Sequence, residues 1–370
     1  MKNPTKIFLY GCDDLQPWDM AYYSEKLREQ RFDISDETVR PYFPITKVLS
    51  GLFKVLHKLY GITLLEKPDV DVWHPDVKFF EVKDKQHHTI GFFYIDLYVR
   101  DHKRGGAWMD DLQVRRKTAQ GIELPIALVV CNFGRPLDGK PALLTHDDVI
   151  TLFHEFGHAF HHLLTKVDCA DVAGINGVAW DAVELPSQFM ENWCWQPEVM
   201  AWISGHYQTG EALPDELFQR LLSAKNYHSG LQMMRQLEFA LFDFMLHQQF
   251  NAKFTIEKIQ AMLDELRSQI SVVPRIDGNR FQHSFTHVFG GGYAAGYYSY
   301  KWAEVLSSDA FAKFEETGFL EGDTGLSFLE HILEQGGSED MKTLYRKFRG
   351  RDATIDALLR HSGIVEGFEI

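Results

Sequence analysis

Apolar residues between positions 145 and 164 recur at steps of three and four: Val149, Leu152, Phe153, Phe156, Phe160, Leu163 and Leu164. That period predicts an amphipathic helix. Thr145 is placed to cap it, with Asp148 three residues on and acidic side chains in the first turn. A second stripe (Val48, Leu49, Leu52, Phe53, Leu56, Leu59) predicts a helix within residues 35–60, and a further helix is expected around 14–30. The texture then changes. Residues 70–73, 78–82 and 89–98 are rich in β-branched and aromatic side chains and read as strands, with 84–87 as a hairpin turn and a glycine-bearing loop at 101–107. Residues 123–133 predict another strand, either an ordinary core strand or a sheet edge able to accept an extended peptide. From Glu191 onward nearly everything reads as helix, for example 231–249 and 255–270.

No repeat, low-complexity tract or linker interrupts this pattern. The expected fold is α+β, mainly α with a small β-sheet, built as a single unit over residues 1–370. Residues 1–144 would carry helices plus a small mixed sheet, and 145–370 a helical region.

Composition narrows the function classes. A hydrophobic share of 45% and a charged share of 24% are those of a globular chain with an ample core. The net charge of −14, from 52 acidic against 38 basic residues, repels phosphate backbones and anionic membrane surfaces, so neither nucleic acid nor membrane is an expected partner. Cys12, Cys131, Cys169 and Cys194 lie far apart without metal-ribbon or redox spacing, as reduced cytosolic thiols do. The N-terminal apolar run is too short for a secretory leader, and cytoplasmic residence is the expectation.

The chemistry concentrates on the first helix. His154-Glu155-Phe156-Gly157-His158 puts two imidazoles one turn apart on one side. Such a pair can bind one zinc ion, with Glu155 as general base to the attacking water. The same pair would also suit two surface or packed core histidines. A hydrolytic zinc site needs a third protein ligand. His161 shares the helix face, but seven residues of helix rise about 10 Å while zinc–nitrogen bonds span about 2 Å, so it reads as a neighbour of the site or of the substrate cleft. Glu184 is the better candidate: it lies on a separate helical segment, beside Pro186, which signals a kink or an early-turn position. Downstream, Gly290-Gly291-Gly292 allows sharp bending and close approach to a ligand. Tyr293, Tyr297 and Tyr300, at steps of four and three, would share one helical face, whether for packing or for a ligand.

His154-Glu155-Phe156-Gly157-His158, followed by Val183-Glu184-Leu185-Pro186-Ser187-Gln188 and Glu191-Asn192-Trp193, closely resembles the thimet-oligopeptidase family of zinc metallopeptidases. The resemblance extends to the stretch from His283 to Tyr300. It implies a zincin-like catalytic region of a helical, prolate oligopeptidase with a deep cleft. It implies one zinc ion on His154, His158 and Glu184, with Glu155 as general base. It also implies His287, Tyr297 and Tyr300 as groups that hold the substrate and its tetrahedral intermediate, with Tyr293 as a further substrate contact. The expected reaction is hydrolysis of internal bonds in short peptides. Removal of C-terminal dipeptides, or peptide binding without catalysis, are the alternatives. The family's long helical N-terminal region, which forms the opposite wall of its channel, is missing from the stretch that is matched, so that region, in cis or trans, is an expected partner beside the peptide substrates.

Overall fold

The apolar stripes become helices up to the prolines that interrupt them. The computed structural model describes residues 16–137, 139–251, 253–272, 276–319 and 323–365. In chain order the main elements are α1 (Met20–Phe32), α2 (Ile45–Tyr60), β1 (Thr63–Glu66), β2 (Lys78–Lys83), β3 (Thr89–Tyr98), β4 (Trp108–Gln113), β5 (Arg116–Thr118), β6 (Gly121–Glu123) and β7 (Ile126–Phe133). They are followed by α3 (His146–Leu163), α4 (Trp180–Val183), α5 (Leu185–Glu191), α6 (Ser229–Gln249), α7 (Ile256–Ile270) and α8 (Ser299–Thr317).

The helix expected over 35–60 is broken. Pro41 sits in a 3-10 turn (Arg40–Tyr42) and Pro44 takes the N-cap position of α2, because a proline nitrogen has no hydrogen to give to a helix ladder. Within α2, Val48, Leu52, Leu56 and Leu59 of the stripe are buried, Leu49 and Phe53 are partly buried, and Val55 joins the buried face. Gly61 ends the helix in the left-handed region, its N–H reaching the His57 carbonyl. Of the helix expected around 14–30, residues 14 and 15 lie outside the described residues; Pro17 opens a 3-10 turn, and α1 follows.

The main sheet has the order β1-β2-β3-β7-β4, with β3 and β7 parallel and the other neighbours antiparallel. This is the small mixed sheet of an α+β fold. The hairpin joining β2 to β3 turns at Asp84, whose carboxylate accepts from the N–H groups of Gln86 and His88. Two strand expectations are corrected, and one open alternative is resolved. Residues 70–73 form no strand: Pro68 and Pro75 bracket them, and the Trp73 indole donates to Asp96 (3.0 Å). The stretch 123–133 is split at Pro125 into the end of β6 and the whole of β7. β7 lies between β3 and β4, so it is the interior strand of the two alternatives, and β1 and β4 form the edges. Both edge strands are short and half-exposed, so neither carries the apolar alternation that would have marked it.

The chain divides into two units. The first comprises Asp36–Asp215 and Ala303–Leu358; the second comprises the described parts of Met1–Ser35, Glu216–Trp302 and Leu359–Ile370. Helical residues after position 145 belong to both. The core of the first unit is aromatic where α3 meets the sheet: Phe156 packs on Phe53 and Phe93, Phe160 on Phe93, and Phe80 stacks on Phe93. On β3, buried Asp96 accepts from Arg100 (2.6 and 2.7 Å) and Lys103 (2.9 Å) as well as Trp73. Burial alone would raise its pKa, but these donors prevail and bring it down to about 2. The core of the second unit forms around Phe242, Leu246, Leu263, Phe285, Val288 and Tyr297.

Candidate metal centre

α3 begins where its cap dictates. Thr145 Oγ1 accepts from the Asp148 N–H (3.0 Å), and the Asp148 carboxylate accepts from the Thr145 N–H (2.9 Å). With that start fixed, Val149, Leu152, Phe153, Phe156, Phe160 and Leu163 are buried in the core. His154 and His158 then lie one turn apart, with ring centroids 5.0 Å from each other.

The partner element reaches α3 because Gly157 has no side chain. A Cβ there would lie 2.5 Å from Ser187 Cα and press against the Pro186 carbonyl. Glu184 occupies the joint between α4 and α5, and Pro186 lies in the first turn of α5, where its missing N–H costs nothing. Ser187 Oγ donates to both the carbonyl (2.9 Å) and the carboxylate (3.0 Å) of Glu184, so the buried side chain is held at a fixed angle.

Glu184 Oε2 lies 3.0 Å from His158 Nε2 and 3.3 Å from His154 Nε2. One donor atom from each of the three residues falls within 4.8 Å of the others. Bonds of about 2.0–2.2 Å in a tetrahedron place neighbouring donors roughly 3.3–3.6 Å apart, and the two Glu184–histidine distances lie close to that spacing. His154 Nδ1 donates to Glu191 Oε1 (2.6 Å), which leaves Nε2, facing Glu184, as the nitrogen that would meet an ion once its proton is released. Burial opposes a charge on His154, but the hydrogen bonds to Glu184 and Glu191 prevail and raise its pKa well above the ordinary value. Burial likewise opposes ionisation of Glu184, and the two histidines overcome it and hold the carboxyl well below the usual carboxylate range. A carboxylate kept ionised beside two imidazoles is a donor set that a divalent cation takes in exchange for protons.

Glu155 is buried beside this cluster, and its Oε2 makes no hydrogen bond. Burial raises its pKa, against the neighbouring histidines. His161 stands apart from the cluster: it is fully buried, neither ring nitrogen has a hydrogen-bond partner, and burial pushes its pKa down to about 3, so the ring is neutral.

The second unit gathers the other candidates. His287, on the short helix Thr286–Phe289, has ring centroids 5.8 Å from Tyr293, 5.6 Å from Tyr297 and 6.0 Å from Tyr300. Tyr293 stacks on Tyr300 at 5.1 Å. The helical stripe expected for the tyrosines is corrected: Tyr293 lies in irregular backbone, residues 294–298 are turns, and only Tyr300 lies on α8. Ala295 adopts a left-handed φ of 54°, which ends any helix there. Asp243, fully buried on α6, accepts from the N–H groups of Ala295 and Tyr297 (2.9 Å each) and so shapes the turn. Tyr297 is buried in the core, and its hydroxyl donates to Gln236 (3.0 Å).

The sequence reading gave no role to Gly157, Ser187, Glu191, Asp243 or Gln236. Glu191 left a signal, since it follows Glu184 by seven residues and so returns to the same helical face. Asp243 left none, because its partners are backbone groups more than fifty positions away.

Two histidines and a glutamate drawn from two helical segments, with a second buried glutamate beside them, define a candidate hydrolytic metal centre. The model of Peptidase family M3 matches residues 3–364, and the chain belongs to that family. It is 57% identical over 356 residues to oligopeptidase A of Salmonella typhimurium, covering 96% of this chain and 52% of that protein. It is 41% identical over 362 residues to dipeptidyl carboxypeptidase of Escherichia coli, again covering 96% and 52%. The chain thus spans about half the length of the curated relatives it matches. Among solved structures, PZ peptidase A bound to an inhibitor is similar in fold, with a TM-score of 0.55 at 14% identity over 95% of this chain and 58% of that one.

Proposed function

We propose that this chain is a zinc-dependent oligopeptidase that hydrolyses internal bonds of short peptides. The observation that carries this reading is the placement of Glu184 Oε2 at 3.0 and 3.3 Å from the two histidine Nε2 atoms, with Glu155, whose Oε2 makes no hydrogen bond, buried beside them. His154, His158 and Glu184 would hold the ion. When bound, zinc supplies a Lewis acid that acidifies water and polarises the scissile carbonyl. Glu155 takes a proton from the attacking water and passes it to the departing amine, and its raised pKa suits it to both transfers. Glu191 fixes the tautomer and the aim of His154, and Ser187 fixes the carboxylate of Glu184. His287, Tyr297 and Tyr300 are assigned the oxyanion and substrate contacts that the family resemblance implies, with Tyr293 beside them. Cytoplasmic residence belongs to the same proposal; among the described residues no helix is long and apolar enough to cross a membrane.

Similarity to a dipeptidyl carboxypeptidase supports a second reading, release of C-terminal dipeptides. An internally quenched peptide with an amidated C-terminus tests both. Cleavage that a chelator abolishes and zinc restores is the expected result. Cleavage indifferent to the chelator would remove the metal from the mechanism. Hydrolysis only of the free-acid peptide, two residues from its end, would favour the second reading.

A further inference from the structure

The second unit carries a cavity of about 510 Å³, within the size range of small-molecule sites. Two helix faces with the same spacing line it. Leu231, Met234, Arg235 and Glu238 follow one another at i, i+3, i+4 and i+7 on α6. Asp264, Arg267 and Ser268 on α7, with Ser271 at its C-cap, repeat that spacing. Met20, Val272 and Ile276 add apolar wall.

The polar lining is organised around one buried carboxylate. Glu238 is 1% exposed, and its Oε1 accepts from Arg235 Nη1 and Arg267 Nε, each at 2.8 Å. Arg267 also donates Nη1 to Asn279 (3.2 Å). The Arg235 guanidinium lies 4.2 Å from the Phe239 ring centroid, and Arg267 lies 5.6 Å from that of Phe281. Ring faces and Glu238 therefore set the planes of both guanidiniums before any ligand arrives, which is the preorganisation that planar recognition of a carboxylate requires. A guanidinium has five N–H donors, and these bonds use one from Arg235 and two from Arg267. Asp264, whose Oδ1 accepts from Gln260 Nε2 (3.0 Å), adds a second anion, so two cations and two anions line the cavity together with an aliphatic wall.

We propose that this cavity is a binding site for an aliphatic amino acid or short peptide in its zwitterionic form. The arginines take its carboxylate, Asp264 faces its ammonium group, and Leu231, Met234, Val272 and Ile276 cover its side chain. Such molecules are the products of peptide hydrolysis, but the site stands on its own geometry and does not depend on the reading of the metal centre.

Calorimetric titration of the full chain in the presence of chelator tests it, with leucine and dileucine as probes and leucinamide and N-acetyl-leucine as controls. The chelator keeps the outcome separate from any hydrolysis. Leucine or dileucine should bind, each control should bind at least about tenfold more weakly, and the stronger of the two zwitterions identifies the natural length of the ligand. Arg235→Gln, at a half-exposed side chain, should weaken binding about tenfold or more. Ser268→Trp, which fills the cavity from an exposed helix position, should abolish it. Absence of binding by either zwitterion, controls that bind as well as the zwitterions, or unchanged affinity in both variants would overturn the proposal.

Discussion

The metal cluster of the first unit and the aromatic cluster of the second are built by different means. His154, Glu155, His158 and Glu184 sit on or beside two helical segments whose approach is set by the bare backbone of Gly157. Each candidate ligand is aimed by a short hydrogen bond or by its place in a helical repeat. His287, Tyr293, Tyr297 and Tyr300 instead meet through turns, a left-handed Ala295 and backbone bonds to Asp243. Periodic geometry can be read from spacing alone, whereas turn geometry depends on partners far along the chain.

The largest expected effect tests the chemistry of the first cluster. Glu155→Gln should keep the metal and lower kcat by on the order of 10²–10⁴, the usual worth of a positioned general base. Turnover within a factor of two of wild type would remove Glu155 from that role. For the second cluster, Tyr300→Phe and His287→Ala should each lower kcat by about 10² with little change in KM, as loss of an oxyanion donor does. A change confined to KM would instead make them groups that bind substrate and transition state equally.

Gly157→Ala probes the architecture that distinguishes the first cluster. The added methyl has no room against Ser187 and Pro186, so unfolding titrations should show a loss of about 3 kcal/mol. Wild-type stability would mean that the approach of α3 and α5 does not depend on a bare backbone at that position.

Acid gives the smallest and most selective effect. The folded-state pKa of Asp96 lies below its ordinary value of 3.8, at about 2, so its contribution to stability is present above pH about 4 and is lost as pH falls toward 2. A shift of that size corresponds to about 2 kcal/mol. Because Asp96 belongs to the first unit, amide protection factors in the β3 region, referenced to the intrinsic exchange rate at each pH, should fall near pH 3 relative to neutral pH, and Asp96→Asn should remove that pH dependence. An unchanged acid profile in the variant would assign the acid sensitivity to other groups.

Much of the first unit was legible in the sequence. The start of α3 followed from Thr145 and Asp148, and the hairpin turn at Asp84 from its flanking strands. The candidate ligand cluster followed from the motif, the early-turn position of Pro186 and the family resemblance. β1 and β4 were not legible, because short half-exposed edge strands carry no clean alternation. The reading of 70–73 failed because β-branched and aromatic content outweighed two flanking prolines. In the second unit the three tyrosines converge as their spacing suggested, but on a turn that the same spacing had presented as a helix.

The central claim is that Glu184, and not His161, completes the metal site. Zinc bound per chain, measured by elemental analysis after dialysis, tests it directly. One equivalent is predicted for the wild-type chain and for His161→Ala, and far less than one for Glu184→Ala. Full retention of zinc by Glu184→Ala, or its loss from His161→Ala while the variant remains folded, would contradict the account.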